Sequence, residues 1–207
     1  MTVDIVLTGA HGQLGREITR RAGGLTLRAL SRDELDIAHR DAVLRAVADA
    51  APRVVVNAAA YTAVDRAEVE AERAYAVNRD GPAHLAEACA LQGIPLIHVS
   101  TDYVFDGTAS GAYAEHDRVS PLGVYGASKM AGEEAVRGRL AQHVIVRTAW
   151  IYSGFGANFV KTMLRVGQER SSLRVVDDQR GCPTFAGDLA QALLSVARRM
   201  LDGPVPS

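Results

Sequence analysis

Two side chains that could exchange a proton with a substrate stand four residues apart, Tyr125 and Lys129 in the stretch YGASK. On a helix, residues i and i+4 lie on one face, so the phenol and the ammonium can converge. A free phenol has a pKa near ~10. One ammonium ~5 Å away, at an effective dielectric constant of ~20, favours the phenolate by about 3 kcal/mol. We therefore expect Lys129 to lower the pKa of Tyr125, and Tyr125 to donate a proton to a carbonyl oxygen.

A hydroxyl group is expected beside this pair. Thr101 and Asp102 follow a predicted strand at residues 95–100, and open α/β sheets bind ligands at the carboxyl ends of their strands. The stretch from 101 to 121 has little periodicity, and connections longer than ~12–15 residues usually have a function. We expect Thr101 to hydrogen-bond the substrate carbonyl or the tyrosine.

A glycine loop, GAHGQLG, follows the first predicted strand and opens the first predicted helix, with Gly9, Gly12 and Gly15 three residues apart. Small residues at such a turn let backbone N–H groups approach a pyrophosphate, and the helix N-terminus favours its negative charge. The spacing differs from that of nucleoside triphosphatases, which disfavours ATP hydrolysis. The loop predicts a dinucleotide site.

The end of the second predicted strand bears on the choice of dinucleotide. A carboxylate there suits the ribose of NAD, whereas an arginine suits the additional phosphate of NADP. The strand ends in Ser31 and Arg32, which can both donate to a phosphate. Asp33, Glu34 and Asp36 follow and would repel it. We expect NADPH, with NADH as the alternative.

The elements that position these groups alternate along the chain. Short, mostly branched apolar stretches predict buried strands at 3–8, 25–30, 54–57, 95–100, 143–148 and 173–176. Between and after them, amphipathic stretches predict helices at 13–22, 41–50, 68–91, 122–142, 158–169 and 184–200; the third carries Gly81-Pro82 and is one bent helix or two. This order predicts an α/β fold, a doubly wound, Rossmann-like parallel sheet, and one domain over 1–207.

Composition excludes several classes of partner. Lys plus Arg number 23 and Asp plus Glu 24, a net charge of -1, so no global positive field gathers nucleic acid or an anionic membrane. Cys89 and Cys182 are far apart and predict neither a disulfide framework nor a metal site. The chain starts without a signal-peptide pattern and has no membrane-length apolar run, so we expect a cytoplasmic protein.

Seven stretches together resemble the dTDP-4-dehydrorhamnose reductases, a family of extended short-chain dehydrogenase/reductases. They are GAHGQLGRE (9–17), VVVNAAAYTAVDRAE (54–68), VNRDGPAHLA (77–86), HVSTDYVFDG (98–107), SPLGVYGASKMAGE (120–133), VIVRTAWIYSGFGANFVKTML (144–164) and VVDDQRGCPTFAGDLA (175–190). The resemblance implies NADPH-dependent reduction of the 4-keto group of dTDP-6-deoxy-L-lyxo-4-hexulose. The product would be dTDP-L-rhamnose, a precursor of cell-surface polysaccharide.

The same resemblance implies roles for individual residues. Gly12, Gln13 and Leu14 would contact the cofactor pyrophosphate. Asp36 and Ile37 would contact the adenine. The cofactor groove would be lined by Ala59, Ala60 and Tyr61. Lys129 would bind the nicotinamide ribose. Thr101, Asp102 and Trp150 would contact the sugar, whereas without the resemblance Trp150 would be predicted to lie in the core.

Some members of this family bind Mg²⁺ through acidic residues, and Glu17 and Asp188 fall near matching positions. Their spacing predicts no site, and we expect both to be solvated surface carboxylates. Family members run further beyond residue 207, so the resemblance also implies an intact cofactor half with an incomplete substrate-closing part. A homodimer is a further expectation.

Two other functions fit the same motifs. An epimerase or dehydratase acting on nucleotide sugars is one, because Asp102 offers an acid beside Thr101. A non-catalytic nucleotide-binding subunit, similar to the regulatory β subunit of methionine adenosyltransferase, is the other.

Overall fold

A parallel sheet of five strands forms the centre of the protein in a computed structural model that describes residues 2–203. The strands are β1 (Ile5–Thr8), β2 (Leu27–Leu30), β3 (Val54–Asn57), β4 (Leu96–Thr101) and β5 (His143–Thr148), in the spatial order β2-β1-β3-β4-β5. The order reverses between β1 and β3, where such sheets open a crevice at the carboxyl ends of their strands. The predicted catalytic and cofactor residues are therefore brought to one edge.

Helices cover both faces of this sheet. They are α1 (Gln13–Arg21), α2 (Arg40–Ala50), α3 (Val64–Ala67), α4 (Ala71–Tyr75), α5 (Gly81–Gln92), α6 (Val124–Arg139), α7 (Phe159–Glu169) and α8 (Ala186–Asp202). One apolar core joins the sheet to α1 and α8, and a second joins it to α2, α5 and α6. This confirms the predicted doubly wound fold. Within the described part of the chain, no helix combines the length and apolar character needed to cross a membrane.

The predicted strand at 173–176 is wrong. These residues are irregular, and Leu173, Val175 and Val176 are exposed, so the short apolar stretch has no strand to pair with. Instead, β6 (Ile151–Tyr152) pairs with β7 (Thr184–Phe185) in a separate two-stranded parallel sheet. The last helix consequently begins at Ala186, two residues later than predicted.

The predicted helix at 68–91 is a continuous helical run over 71–92 in which a π-helical segment, Ala76–Asp80, joins α4 to α5. Pro82 lies in the first turn of α5, where its missing N–H costs little, so Gly81-Pro82 does not interrupt the run. Single π-helical turns within α-helices often mark functional sites. Asn78, in the middle of this one, is fully buried.

Helix α6 packs unusually close to its neighbours. A Cβ at Gly126 would overlap the backbone carbonyl of Tyr103, and one at Gly132 would overlap that of Asn78. These two glycines let the helix that carries Tyr125 and Lys129 lie against the turn Asp102–Val104 after β4 and against the π-helical segment.

Gly132→Ala is expected to destabilise the protein by about 3 kcal/mol, because the new methyl group meets rigid backbone rather than a movable side chain. Gly138→Ala on the same helix is the control, since a Cβ there meets nothing within 4 Å. Alanine there should stabilise by about 0.5–1 kcal/mol through helix propensity. Urea unfolding compares the two, and equal free energies of unfolding would contradict the close approach.

Candidate active site

The glycine loop has the geometry that a pyrophosphate site requires. Gly9 has a positive φ of 74°, and a Cβ there would overlap the backbone of Ala58 and Ala59. Gly12 donates from its backbone to the Gly9 carbonyl at 3.0 Å. Helix α1 starts at Gln13 without an acidic side chain in its first turn or a capping side chain. Its first N–H groups are therefore directed at the space above β1, where an anion would be stabilised.

A groove of about 350 Å³ runs from this loop along the edge of the sheet. Eight of the predicted cofactor residues line it, namely Gly9, Gly12, Arg32, Asp36, Ile37, Ala59, Ala60 and Tyr61. Gly15 lies against the Gly9 carbonyl below it, and the Leu14 side chain is buried in the core. Gln13 accepts a hydrogen bond from Asn158 at 2.9 Å, so its side chain faces the loop before α7.

The end of β2 presents a cation to this groove. Arg32 is exposed, and its guanidinium lies 3.5 Å from an Asp36 carboxylate oxygen. Glu34 is turned back to accept the Ser31 backbone N–H at 2.7 Å, and this bond lowers the pKa of Glu34. Glu34 and Asp36 are thus engaged by Ser31 and Arg32, respectively, whereas Asp33 is exposed.

Tyr125 lies in the first turn of α6, half-buried, with the edge of its ring against Tyr103 at 5.5 Å between centroids. Burial raises the pKa of Tyr125, the neighbouring Asp102 raises it further, and a hydrogen bond with the Thr101 hydroxyl opposes them. Thr101 is buried at the end of β4 and also donates to Asp102 at 3.3 Å. Burial likewise raises the pKa of Asp102. The structure thus brings Thr101, Asp102 and Tyr125 together, as predicted.

Lys129 is on the same face of α6, but its contact differs from the one predicted. Its side chain is only 2% exposed, and Nζ donates to the Val99 carbonyl at 2.8 Å. Burial lowers the pKa of Lys129 to about 8, against a smaller opposing effect of Glu133. The expected lowering of the Tyr125 pKa by Lys129 is wrong for this arrangement, because burial of the phenol dominates and the ammonium is drawn to a backbone carbonyl.

Sequence reasoning missed a buried polar cluster that holds α6, the helix of Tyr125 and Lys129. Asn78 donates to the Ser128 hydroxyl and to the Tyr61 carbonyl, both at 3.0 Å, and accepts the Tyr61 backbone N–H at 2.9 Å. Ser128 in turn donates to the Tyr125 carbonyl at 2.8 Å. The only signal for this cluster was an asparagine within an apolar helical stretch. Asn78 therefore connects the wall of the cofactor groove to α6.

A second set of buried polar side chains that sequence reasoning missed lies at one register on three neighbouring strands. Asn57 accepts from the Thr8 hydroxyl at 2.7 Å and from the Ala59 backbone at 3.0 Å, and its amide nitrogen lies 3.0 Å from His98 Nδ1. Burial, with a smaller effect of Lys129, lowers the pKa of His98 well below its usual value, so its imidazole is neutral. These bonds fix the start of the segment with Ala59 and Ala60 that lines the groove.

Trp150 does not lie in the core. Its side chain is 42% exposed, its backbone has a positive φ of 45°, and its indole packs against Gly181. A non-glycine residue in the left-handed region is uncommon and is found mostly at turns and functional sites. The core interpretation is therefore wrong, and the indole is available to contact a ligand.

The two acidic residues near the family's Mg²⁺ positions differ from each other. Asp188 is exposed as expected, but Glu17 is buried, so the surface interpretation of Glu17 is wrong. One Glu17 oxygen accepts from Ser153 at 2.9 Å and the other pairs with Arg21. Within residues 2–203 no group of three or more His, Cys, Asp or Glu side chains could hold a metal ion. Both Glu17 oxygens are thus engaged by protein groups.

Comparison with known proteins identifies the family of this chain. Residues 3–206 match the family model described as the RmlD substrate binding domain. The chain is 48% identical over 198 residues to the dTDP-4-dehydrorhamnose reductase of Sinorhizobium fredii, covering 95% of this chain and 67% of the relative. It is 47% identical over 208 residues to the enzyme of that name from Mycobacterium tuberculosis, covering 97% and 68%. The chain thus spans about two thirds of the length of these relatives.

Solved structures of dTDP-4-dehydrorhamnose reductases superpose closely on this chain. The structure from Clostridium acetobutylicum has a TM-score of 0.92 at 42% identity, covering 96% of this chain and 71% of its own. The structure from Bacillus anthracis, in complex with NADP, has a TM-score of 0.93 at 38% identity, covering 97% and 72%. By its sequence and by its fold, this chain belongs to the dTDP-4-dehydrorhamnose reductase family.

Proposed function

We propose that this protein uses NADPH to reduce the 4-keto group of dTDP-6-deoxy-L-lyxo-4-hexulose, which forms dTDP-L-rhamnose. The observation that carries the proposal is the placement of Thr101, Tyr125 and Lys129 at the carboxyl edge of the sheet, beside a groove whose loop suits a diphosphate. Relatives at 45–48% identity bear the name of this enzyme, and the structure with a TM-score of 0.93 was solved with NADP.

The groove would hold the cofactor along its whole length. The N–H groups of Gly12, Gln13 and Leu14 would meet the diphosphate, Arg32 the 2′-phosphate, and Ile37 the adenine. Ala59, Ala60 and Tyr61 would form the opposite wall. A side chain at Gly9 has no room beside Ala58 and Ala59, so glycine lets the loop lie directly against the segment that follows β3. When bound, NADPH supplies the hydride for the carbonyl carbon of the sugar.

The protein's own groups would supply the proton. Because burial raises the pKa of Tyr125, the phenol is protonated at neutral pH and can donate to the carbonyl oxygen as negative charge develops there. Thr101 would donate a hydrogen bond to the same oxygen and orient it, and Lys129 would bind the nicotinamide ribose. The proton that leaves Tyr125 ends on the sugar hydroxyl, and the phenol is reprotonated from solvent.

Asp102 and Trp150 would complete the contacts to the sugar, Asp102 beside Thr101 and the exposed Trp150 after β5. The nucleotide-sugar partner and the preference for NADPH over NADH belong to this proposal. The homodimer and the cytoplasmic location stay predictions.

The rate should fall as the pH rises through about 8. The buried ammonium of Lys129 has a pKa lowered to about 8, so it is charged below this pH and neutral above it. When the ammonium loses its proton, it has one fewer N–H group to donate to the ribose. We expect kcat/KM for NADPH, which reports on the free enzyme, to decline above pH 8. Lys129→Arg, which stays charged, should remove this limb, and an identical limb in that variant would contradict the assignment.

A coupled measurement tests the proposed function. The protein is mixed with NADPH and dTDP-6-deoxy-L-lyxo-4-hexulose, and both nicotinamide absorbance and the sugar products are followed. We expect stoichiometric loss of NADPH and formation of dTDP-L-rhamnose. Formation of an epimer without net consumption of NADPH would indicate an epimerase instead. Tight NADPH binding without any sugar product would indicate a non-catalytic subunit.

A further inference from the structure

The catalytic helix α6 is capped by a side chain from another element. Gly123 precedes the helix and has no side chain to offer to the free N–H groups of the first turn. Glu68, just beyond α3, instead accepts the Val124 backbone N–H at 2.8 Å. A carboxylate at a helix N-terminus also interacts favourably with the helix dipole. The residue that is capped lies directly before Tyr125.

The space for this carboxylate depends on Gly123. A Cβ on Gly123 would stand 2.8 Å from Glu68 Oε1, which is closer than real Cβ contacts. Because Gly123 has no side chain, the Glu68 carboxylate can occupy this space. This gives a second way to disturb the same contact, from the opposite side and without removing the acid.

Glu68 and Asn78 hold α6 on either side of Tyr125. Glu68 binds Val124, whereas Asn78 binds Ser128, whose hydroxyl donates to the Tyr125 carbonyl. Both contacts also involve the region of the groove wall. Asn78 hydrogen-bonds the backbone of Tyr61, and Glu68 directly follows α3. The start of α6 is thus fixed relative to the cofactor groove by two contacts one helical turn apart.

We propose that Glu68 is a positioning residue that caps α6 and thereby aligns the Tyr125 phenol with the groove in which the nicotinamide is held. The alignment of Tyr125 rests on the proposed function; the cap itself does not. Glu68 does not touch the reacting atoms in this account and acts only through the backbone of Val124.

Glu68→Ala is expected to lower kcat about tenfold, because small displacements of a catalytic group are costly, while KM for NADPH stays within about twofold. Glu68→Gln keeps an acceptor oxygen and should retain about half of the wild-type kcat or more. Gly123→Ala displaces the carboxylate without removing it, so it should lower kcat less than Glu68→Ala does. The control is Asp65→Ala, an exposed carboxylate of α3, which should match the wild type. A Glu68→Ala variant with kcat within about twofold of wild type would overturn the proposal.

Amide hydrogen exchange separates this proposal from the proposed function. Exchange at residues 124–127 should be about tenfold faster in Glu68→Ala, faster by a smaller factor in Gly123→Ala, and unchanged in Asp65→Ala, because a lost or displaced cap frays the first turn. If the wild type consumes no NADPH with the sugar, the proposed function fails and the exchange alone decides. In that case faster exchange supports the cap, and unchanged exchange at 124–127 overturns it. Unfolding curves of each variant establish that the compared proteins are folded.

Discussion

Replacing Tyr125 by phenylalanine is expected to lower turnover by ~10²–10⁴, the usual contribution of a general acid. The ring would keep its edge contact with Tyr103, so the packing of the site should survive. Only the proton that burial retains on the phenol at neutral pH would be lost. Because the groove does not depend on this hydroxyl, the affinity for NADPH should change by less than about 1 kcal/mol.

Single-turnover kinetics and NADPH fluorescence titration measure the two quantities separately. Tyr75→Phe is the matched control, since this tyrosine lies on α4, away from the groove lining, with its ring against Arg79. It should retain the wild-type turnover. A Tyr125→Phe variant that keeps most of its activity would remove Tyr125 from the role of proton donor.

Arg147→Met is expected to destabilise the protein by about 3 kcal/mol, because the buried Glu133 carboxylate loses two hydrogen bonds and keeps only the more exposed Arg137 as a charged partner. Glu133 is fully buried on α6, and Arg147 on β5 donates to both of its oxygens, at 2.9 and 2.7 Å. Arg147 also donates to the Glu115 carbonyl at 3.3 Å and lies over the Phe105 ring at 4.9 Å. The pair therefore joins the catalytic helix to the sheet and to the loop after Thr101.

The stability that this pair contributes should depend on pH. Burial alone would raise the pKa of Glu133, but the hydrogen bond and charge of Arg147, together with Arg137, hold it below its ordinary value of 4.5. The contribution is thus complete above pH 4.5 and is lost as the pH falls through the lowered pKa.

Urea unfolding of the wild type and Arg147→Met across this pH range measures the effect. Arg165→Met removes a solvent-exposed partner of Glu169 on α7 and should cost less than about 0.5 kcal/mol. The double variant Arg147→Met, Glu133→Leu should recover much of the loss, because no buried charge remains. A loss below about 1 kcal/mol in Arg147→Met would contradict the account of a buried, charge-paired link.

The sequence was sufficient to predict elements whose pattern is local. The strands at 54–57 and 143–148 match their predicted bounds, and the glycine loop lies at the end of β1 as predicted. The apolar stretch at 173–176 has the same local character as a strand, but pairing depends on a neighbour that only the folded chain supplies. The alternation of strands and helices predicted a doubly wound parallel sheet, but it did not predict the spatial order of the five strands.

Predictions that depended on distant partners were less successful. Glu17 looks like a surface carboxylate until Ser153, far along the chain, folds against it. Lys129 was expected to act on its helical neighbour Tyr125, yet the backbone of Val99 on β4 is its hydrogen-bond acceptor. Asn78 and the Nδ1 atom of His98 contact side chains on other elements, which no spacing in the sequence reveals.

Transfer of isotope from the cofactor to the sugar tests the central claim most directly. The protein is incubated with dTDP-6-deoxy-L-lyxo-4-hexulose and NADPH deuterated at the transferable position of the nicotinamide. We predict dTDP-L-rhamnose with one deuterium, located at C4, and an equal amount of NADP⁺. A product without deuterium at C4, or deuterium that is lost without formation of NADP⁺, would contradict the reductase account.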